Sequence, residues 1–248
     1  MFMVFPFMLL DVTSLLSRPV GTEYKATRQT GQFNLLWSGR LAKNKAKYMK
    51  RDRHTDTHDR LLTAAASLMW ERSFQATGVD EICQRAQAKK GSFYHHFSSK
   101  TDLAIAAIEH SWQQTKERFF APIFSSDEGG IKQIEKLIVT IHDFQKQTAA
   151  TAGDVLGCPF GNLGQEMAHQ DERIRTTLQR IFDEHCDFLE AALNRSEAKG
   201  EIPSGDNKQR AKNIFALLEG ALMMAKIAND TDVFEKVFPS ALAISRSS

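Results

Sequence analysis

The chain has 248 residues, of which 42% are hydrophobic and 25% charged, the balance of a water-soluble globular protein. Its formal net charge of +2 conceals an asymmetry: residues 1–100 carry 16 Lys/Arg against 8 Asp/Glu, and residues 101–248 carry 16 against 22. No apolar run approaches the roughly 20 residues that span a bilayer, and Cys83, Cys158 and Cys186 are too few and scattered for a disulfide framework. These features argue against a membrane protein and a disulfide-stapled secreted domain, and for a reducing cytoplasm with a polyanion partner at the basic end.

Residues 1–48 differ from the rest. Met1 to Leu16 is apolar but interrupted by Pro6 and Asp11, and it lacks the positive leader of a signal peptide. Two readings stand, an N-terminal extension or upstream sequence included by an early start, and the second is favoured because Met49 would be an ordinary beginning. Arg40, Lys43, Lys45, Lys47, Lys50, Arg51 and Arg53, opposed only by Asp52, are either a phosphate-binding arm or a solvated charge run.

Asp56 or Thr57 begins a helix to about Arg72, with Leu61, Leu62, Ala65, Leu68 and Met69 as its apolar stripe. Thr77 can cap a short helix whose inward residues are Val79, Ile82 and Ala86. Gln87 and Ala88 form a tight link. Lys89 and Lys90 open a second short helix, with Phe93 and Phe97 buried and Lys90, Gly91, Ser92, Tyr94, His95 and His96 on its other face. Ser98 or Ser99 caps the next helix. Lys100 lies in that helix's first turn, where a cation opposes the dipole and is better explained by an external anion. This is a helix-turn-helix whose second helix offers donors, cations and aromatics to a DNA major groove.

The next helix runs from Lys100 toward Phe120, and Pro122 ends it. Ile131 to about Ala150 follows, then a break at 152–157, and then a short helix from Cys158 to Ala168 with Pro159 at its first position. Asp171 to Lys199, Asp206 to about Asn229, and a last helix from Thr231 or Asp232 complete the chain. No run reads as a strand, so the fold class is all-α. Residues 49–103 are expected to form an N-terminal three-helix helix-turn-helix domain, and residues 104–248 a C-terminal helical domain.

Ala86-Gln-Ala-Lys-Lys-Gly-Ser-Phe-Tyr-His-His-Phe-Ser-Ser-Lys-Thr-Asp-Leu103 resembles the DNA-binding signature of the TetR/AcrR family of bacterial repressors. The likeness covers roughly residues 56–105. One departure is Gln87, where many members carry Gly; a left-handed residue there would cost a non-Gly side chain about 1 kcal/mol. The resemblance implies that Lys90, Gly91 and His95 face base edges. It implies that Thr77, Ser92, Tyr94, His96 and Lys100 hold phosphates, with Lys89 beside them. It also implies a homodimer on a palindromic double-stranded DNA operator, paired through the last two long helices. Suitable material there is Phe215, Leu218, Leu222, Met223, Phe234, Val237 and Phe238, with Ala216, Gly220, Ala221 and Ala225 allowing close approach. An intramolecular core is the other reading of those residues.

The same resemblance implies a ligand-binding body and a small-molecule effector. Trp112, Phe119, Phe144, Phe160, Phe188 and Met224 are the apolar material for a pocket, and His142, Gln165 and His185 its polar anchors. Taken singly, each aromatic is more often core. Cys158 follows Gly157 and precedes Pro159, so it can cap a helix N-terminus, where free N–H groups favour a thiolate. Its Gly-Cys pair is similar to that of electrophile-sensing members of the family; a buried structural cysteine is the favoured reading for Cys158, and more strongly so for Cys83 and Cys186. No metal-ligand cluster, phosphate-cradling loop or nucleophile elbow is read, so no cofactor, metal or catalytic residue is expected. An enzyme using Cys158 with His142 or His169 and Glu166 would need groups that the spacing does not bring together. A sequence-indifferent nucleoid protein is a third class.

Overall fold

The computed structural model describes residues 57–246. The expectations for residues 1–48, for the basic arm from Arg40 to Arg53 and for a helix start at Asp56 lie outside the described residues. Among the described residues every regular element is helical, and none of the helices is long and apolar enough to cross a membrane.

Three short elements make the head. α1 (Thr57–Glu71) buries Leu61, Leu62, Ala65 and Leu68 as a continuous stripe. α2 (Val79–Arg85) and α3 (Lys90–His96) follow it. The link between them keeps a left-handed turn despite its side chain: Gln87 has φ 52°. It is held by Gln87 N–H donating to the Gln84 carbonyl at 3.1 Å and Ala88 N–H to the Cys83 carbonyl at 2.9 Å. That pair of bonds closes the end of α2 and offsets the left-handed cost. The angle between the two helices is thereby fixed, with Ile82 and Phe93 fully buried beneath it.

α4 (Lys100–Thr115) starts in the head, capped by the Ser99 hydroxyl, which accepts from Asp102 N–H at 3.0 Å. The helix does not stop at Pro122, as its sequence predicts. It widens into a five-residue turn over Lys116–Phe120, where Ala121 N–H reaches the Lys116 carbonyl, and resumes as α5 (Ala121–Phe124). The widened turn shifts the hydrogen-bond register, so a proline lacking its N–H is accommodated at the start of α5.

The body adds α6 (Gly130–Ala152), α7 (Pro159–Met167), α8 (Glu172–Ala198), α9 (Asn207–Ala228) and α10 (Asp232–Ser245). Asp171 and Asp206 cap α8 and α9 with their carboxylates. α8 packs against α4, α6 and α9, and α10 lies along α9. Leu218, Leu222, Ala221, Ala225 and Phe234, offered by the sequence to a subunit face, are instead buried in this chain's own core. The larger apolar side chains that remain outward on α9 are Met223, Met224 and Ile227, with Ala216 beside exposed polar residues.

Three contacts lock head to body. The Trp70 indole N–H donates to the Gly157 carbonyl at 2.9 Å in a buried bond. The Glu166 carboxylate accepts from the backbone N–H groups of Phe74 and Gln75, both at 2.8 Å. Arg173 of α8 reaches Asp102 of α4 at 2.7 Å. α7 therefore has one end at the turn that precedes α2 and the other at Cys158.

Candidate functional site

The candidate DNA-facing surface, as the sequence proposes it, is built by α3. Phe93 and Phe97 anchor it, leaving Lys89, Lys90, Gly91, Tyr94 and His95 exposed, with Tyr94 58% accessible. Ser92 and His96 are half-buried, and the His96 ring packs edge-on to His58. Lys90 reaches Asp80 of α2 at 2.7 Å, and that hydrogen bond raises its pKa. A Cβ added to Gly91 would meet nothing within 4 Å. The fold therefore has no use for a glycine there, and the open space faces outward.

Two sequence-predicted contacts are engaged internally. Thr77 is fully buried, and its hydroxyl donates to the Ser73 carbonyl at 2.7 Å; Gly78, not Thr77, precedes α2 as its cap. Lys100 donates to the carbonyls of Phe74 and Thr77 at 2.9 and 3.1 Å and lies over the Phe74 ring at 4.1 Å. Burial lowers its pKa, while Glu166 opposes that shift. Two carbonyls of the preceding loop thus account for the cation in the first turn of α4 without an external anion. Arg60 is similarly turned inward, its Nε donating to the Ala86 carbonyl at 3.0 Å.

The body contains a cavity of about 100 Å³ between α6, the start of α7, α8 and α9. Of the residues predicted for a pocket, Phe119, Phe144, Cys158, Phe160 and His185 line it. The others do not. Trp112 is buried behind His185, stacked on its ring at 4.1 Å and donating to Glu184 at 2.8 Å. Phe188 packs on Phe120 and Phe124. His142 stacks on Phe234 and lies 3.6 Å from Glu235. Gln165 is exposed, and Met224 is 54% exposed on the outer face of α9. Amphipathic periodicity identifies an inward face but cannot tell a cavity wall from the layer behind it.

Among the lining residues that sequence reading missed, Glu219 is the charged one, beside the polar Thr115, Thr140 and Gln145. In the α9 sequence it reads as one more helix-surface carboxylate; here burial pushes its pKa up to about 7, a shift that the neighbouring Cys158 thiol partly opposes. Gly161 makes the room: a Cβ there would lie 2.5 Å from Glu219 Oε2. Cys158 does cap α7, its sulfur accepting from Gly161 N–H at 3.3 Å. Burial, and then the Glu219 charge, nevertheless push the thiol well above its ordinary range, outweighing the helix N-terminus. That favours the buried cysteine over the sensing thiolate, the two readings that the sequence left for Cys158.

The groups of the enzyme alternative are engaged apart: Glu166 with Phe74 and Gln75, and His142 with Glu235. The described residues bring His142, Asp232 and Glu235 close enough to ligate a cation. Lys146 Nζ already lies 3.7 Å from Asp232 and 3.3 Å from Glu235, so the protein's own ammonium serves those carboxylates.

Comparison with known proteins agrees with this geometry. Residues 61–107 match the family described as bacterial regulatory proteins, tetR family, and residues 130–240 match the tetracyclin repressor-like C-terminal domain. The chain is similar to the transcriptional regulator AcuR of Cereibacter sphaeroides, 28% identical over 173 residues that cover 68% of this chain and 76% of that one. It is also similar to the transcriptional repressor NemR of Escherichia coli strain K12, 26% identical over 187 residues, 74% of this chain and 92% of that one. The crystal structure of a regulatory protein TetR from Rhodobacter sphaeroides superposes with a TM-score of 0.68 at 25% identity, covering 76% of this chain and 98% of that one.

Proposed function

The chain belongs to the TetR family of DNA-binding transcriptional regulators, and on that premise we propose that it is a cytoplasmic homodimeric repressor of a palindromic operator, released when a small molecule enters the cavity of the body. In this reading residues 49–103 bind DNA and residues 104–248 sense and dimerise. Lys90, Gly91 and His95 read base edges, while Lys89, Ser92, Tyr94 and His96 lie toward the backbone. The observation that carries the reading is the outward face of α3, where Lys89, Lys90, Tyr94 and His95 surround a glycine that the fold does not need.

Dimerisation follows from the recognition problem and from the surface. One seven-residue helix reads few bases, whereas two related by symmetry read a palindrome. Ala216, Gly220, Met223 and Ile227 recur on α9 at helical spacing on its outer side, apolar and small enough for close two-fold packing.

Release follows from α7. Its N-terminus, Cys158, is a cavity wall, and Glu166 near its other end holds the loop before α2. A ligand that displaces α7 would move the head and change the separation of the two recognition helices, to the extent that it binds the splayed dimer better. A small molecule is favoured over an electrophile, because Cys158 is held as the thiol and thiolate is the reactive form.

Selection of bound fragments from genomic DNA, followed by mobility shift with purified protein, tests the function. Enrichment of one palindrome supports it; uniform recovery of unrelated duplexes contradicts it.

A further inference from the structure

The polar groups lining the cavity have a shared chemistry. Thr115 and Thr140 spend their hydroxyl hydrogens on the carbonyls of Ser111 and Lys136, at 2.8 and 2.7 Å, and so present only lone pairs. Gln145 donates through Nε2 to the Gly157 carbonyl at 3.2 Å, and its Oε1 is buried with no partner among the described residues. His185 Nδ1 lies 2.7 Å from the Ile181 carbonyl, which can only accept, so Nδ1 carries the hydrogen and Nε2 the lone pair. Burial keeps that ring neutral, with a pKa of about 4. Glu219 adds a carboxyl group eased by the Cys158 thiol and by no lysine or arginine.

With the Cys158 S–H turned to Glu219 and Glu219 ionised, the remaining polar lining is made of acceptors inside an apolar wall, and buried acceptors call for donors. A carboxylate or aldehyde ligand would set acceptor against acceptor. A neutral apolar molecule would leave Gln145 Oε1 orphaned. An ammonium satisfies several lone pairs at once, balances the Glu219 charge, and is attracted by the faces of the surrounding rings.

We infer that this cavity takes a small aromatic or aliphatic ammonium, its N–H groups donating to Glu219, Gln145 Oε1 and His185 Nε2 and its body lying among Phe119, Phe144 and Phe160. The inference deepens the effector reading above and rests on it for its biological meaning, though not for its test. The site requires ionised Glu219, so binding below the Glu219 pKa releases a proton. The titratable groups facing the cavity are Cys158 at the start of α7, His185 on α8 and Glu219 on α9; α4, the widened turn and α6 contribute only threonine, glutamine and apolar side chains. Lys226 of α9 lies against Gly157 through its aliphatic stem.

Isothermal titration of the full chain with benzylammonium and with benzyl alcohol, from about pH 5 to about pH 8, tests it. Benzylammonium binds about tenfold or more tighter than the alcohol at the upper end. Its affinity falls about tenfold for each pH unit below the Glu219 pKa and levels above it, while the alcohol's stays flat. Glu219→Gln loses on the order of 10- to 100-fold in ammonium affinity and all of the pH dependence. Equal binding of the two probes, or an ammonium affinity indifferent to pH, overturns the inference on the wild-type protein alone, whether or not the variant folds. Mobility shift on the same samples separates the two layers. Ammonium that binds as described without releasing operator contradicts the release reading and upholds the cavity chemistry.

Discussion

In the head, the exposed face of α3 comes from seven consecutive residues, set by a link whose backbone is fixed three residues earlier, at Gln87. In the body, the cavity collects side chains from α4, the widened turn, α6, α7, α8 and α9, with Thr115 and Leu222 more than a hundred positions apart. The head faces outward with its donors and cations, and the body faces inward with its acceptors and rings. A contiguous motif can be kept rigid by local hydrogen bonds, whereas a cavity assembled from distant segments changes shape whenever any of its helices shifts. In the proposed reading the head is the reader and the body the sensor, joined through α7.

The comparison is tested most harshly at Trp112. It was expected in the pocket and is found in the layer behind it, 2% exposed. Trp112→Ala should cost about 3–5 kcal/mol of folding stability, measured by chemical denaturation. A loss well below that would return Trp112 to the cavity wall.

Glu219 sharpens the sensor half. Its pKa is raised from 4.5 to about 7, so the folded state holds a proton that the unfolded chain has lost between those values. Stability from this group is present at low pH, falls as pH rises through that window, and is constant above it. Glu219→Gln removes the penalty and should stabilise the protein by roughly 2–3 kcal/mol above pH 7, with little change near pH 4.5. His185 acts on the acid side. Its pKa is depressed from 6.5 to about 4, so its contribution is lost as pH falls through that range. Thermal melts at several pH values separate the two limbs.

Lys90 and Lys100 divide the reader half. Lys90→Ala should cost about 1–3 kcal/mol on the specific duplex and little in folding. Lys100→Ala removes donors from the Phe74 and Thr77 carbonyls and should lower stability by about 1–2 kcal/mol. Melts and salt-dependent DNA titrations of both variants check this. If Lys100→Ala leaves the melt unchanged and flattens the salt dependence by one charge, the phosphate role expected from sequence holds after all.

The smallest expected effect is at Gly91. Gly91→Ala should stabilise the fold by about 0.5–1 kcal/mol, because helical alanine replaces glycine in open space. It should weaken DNA binding all the same. A variant that binds DNA as well as wild type would show that nothing approaches α3 there.

The head was legible because its information is local: Ile82, Phe93 and Phe97 announce the packed faces, and the residues between them the exposed ones. Lys100 misled because its partners are backbone carbonyls, which a sequence does not display. The body was legible as helices and caps, including Asp171 and Asp206, but Phe188 and Phe160 carry the same helical signal on opposite sides of a cavity wall. Glu219 was missed for a related reason. Its carboxylate lies against Gly161, on another helix, which no reading of α9 alone reveals.

The central claim is that α3 reads a sequence and does not merely hold a polyanion. The most direct measurement is a fluorescence anisotropy titration of the purified chain against its selected palindrome and a scrambled duplex of equal length and composition, at matched salt. The account predicts two chains per palindrome and a preference of about 10³ or more. Equal affinity for the two duplexes would contradict it.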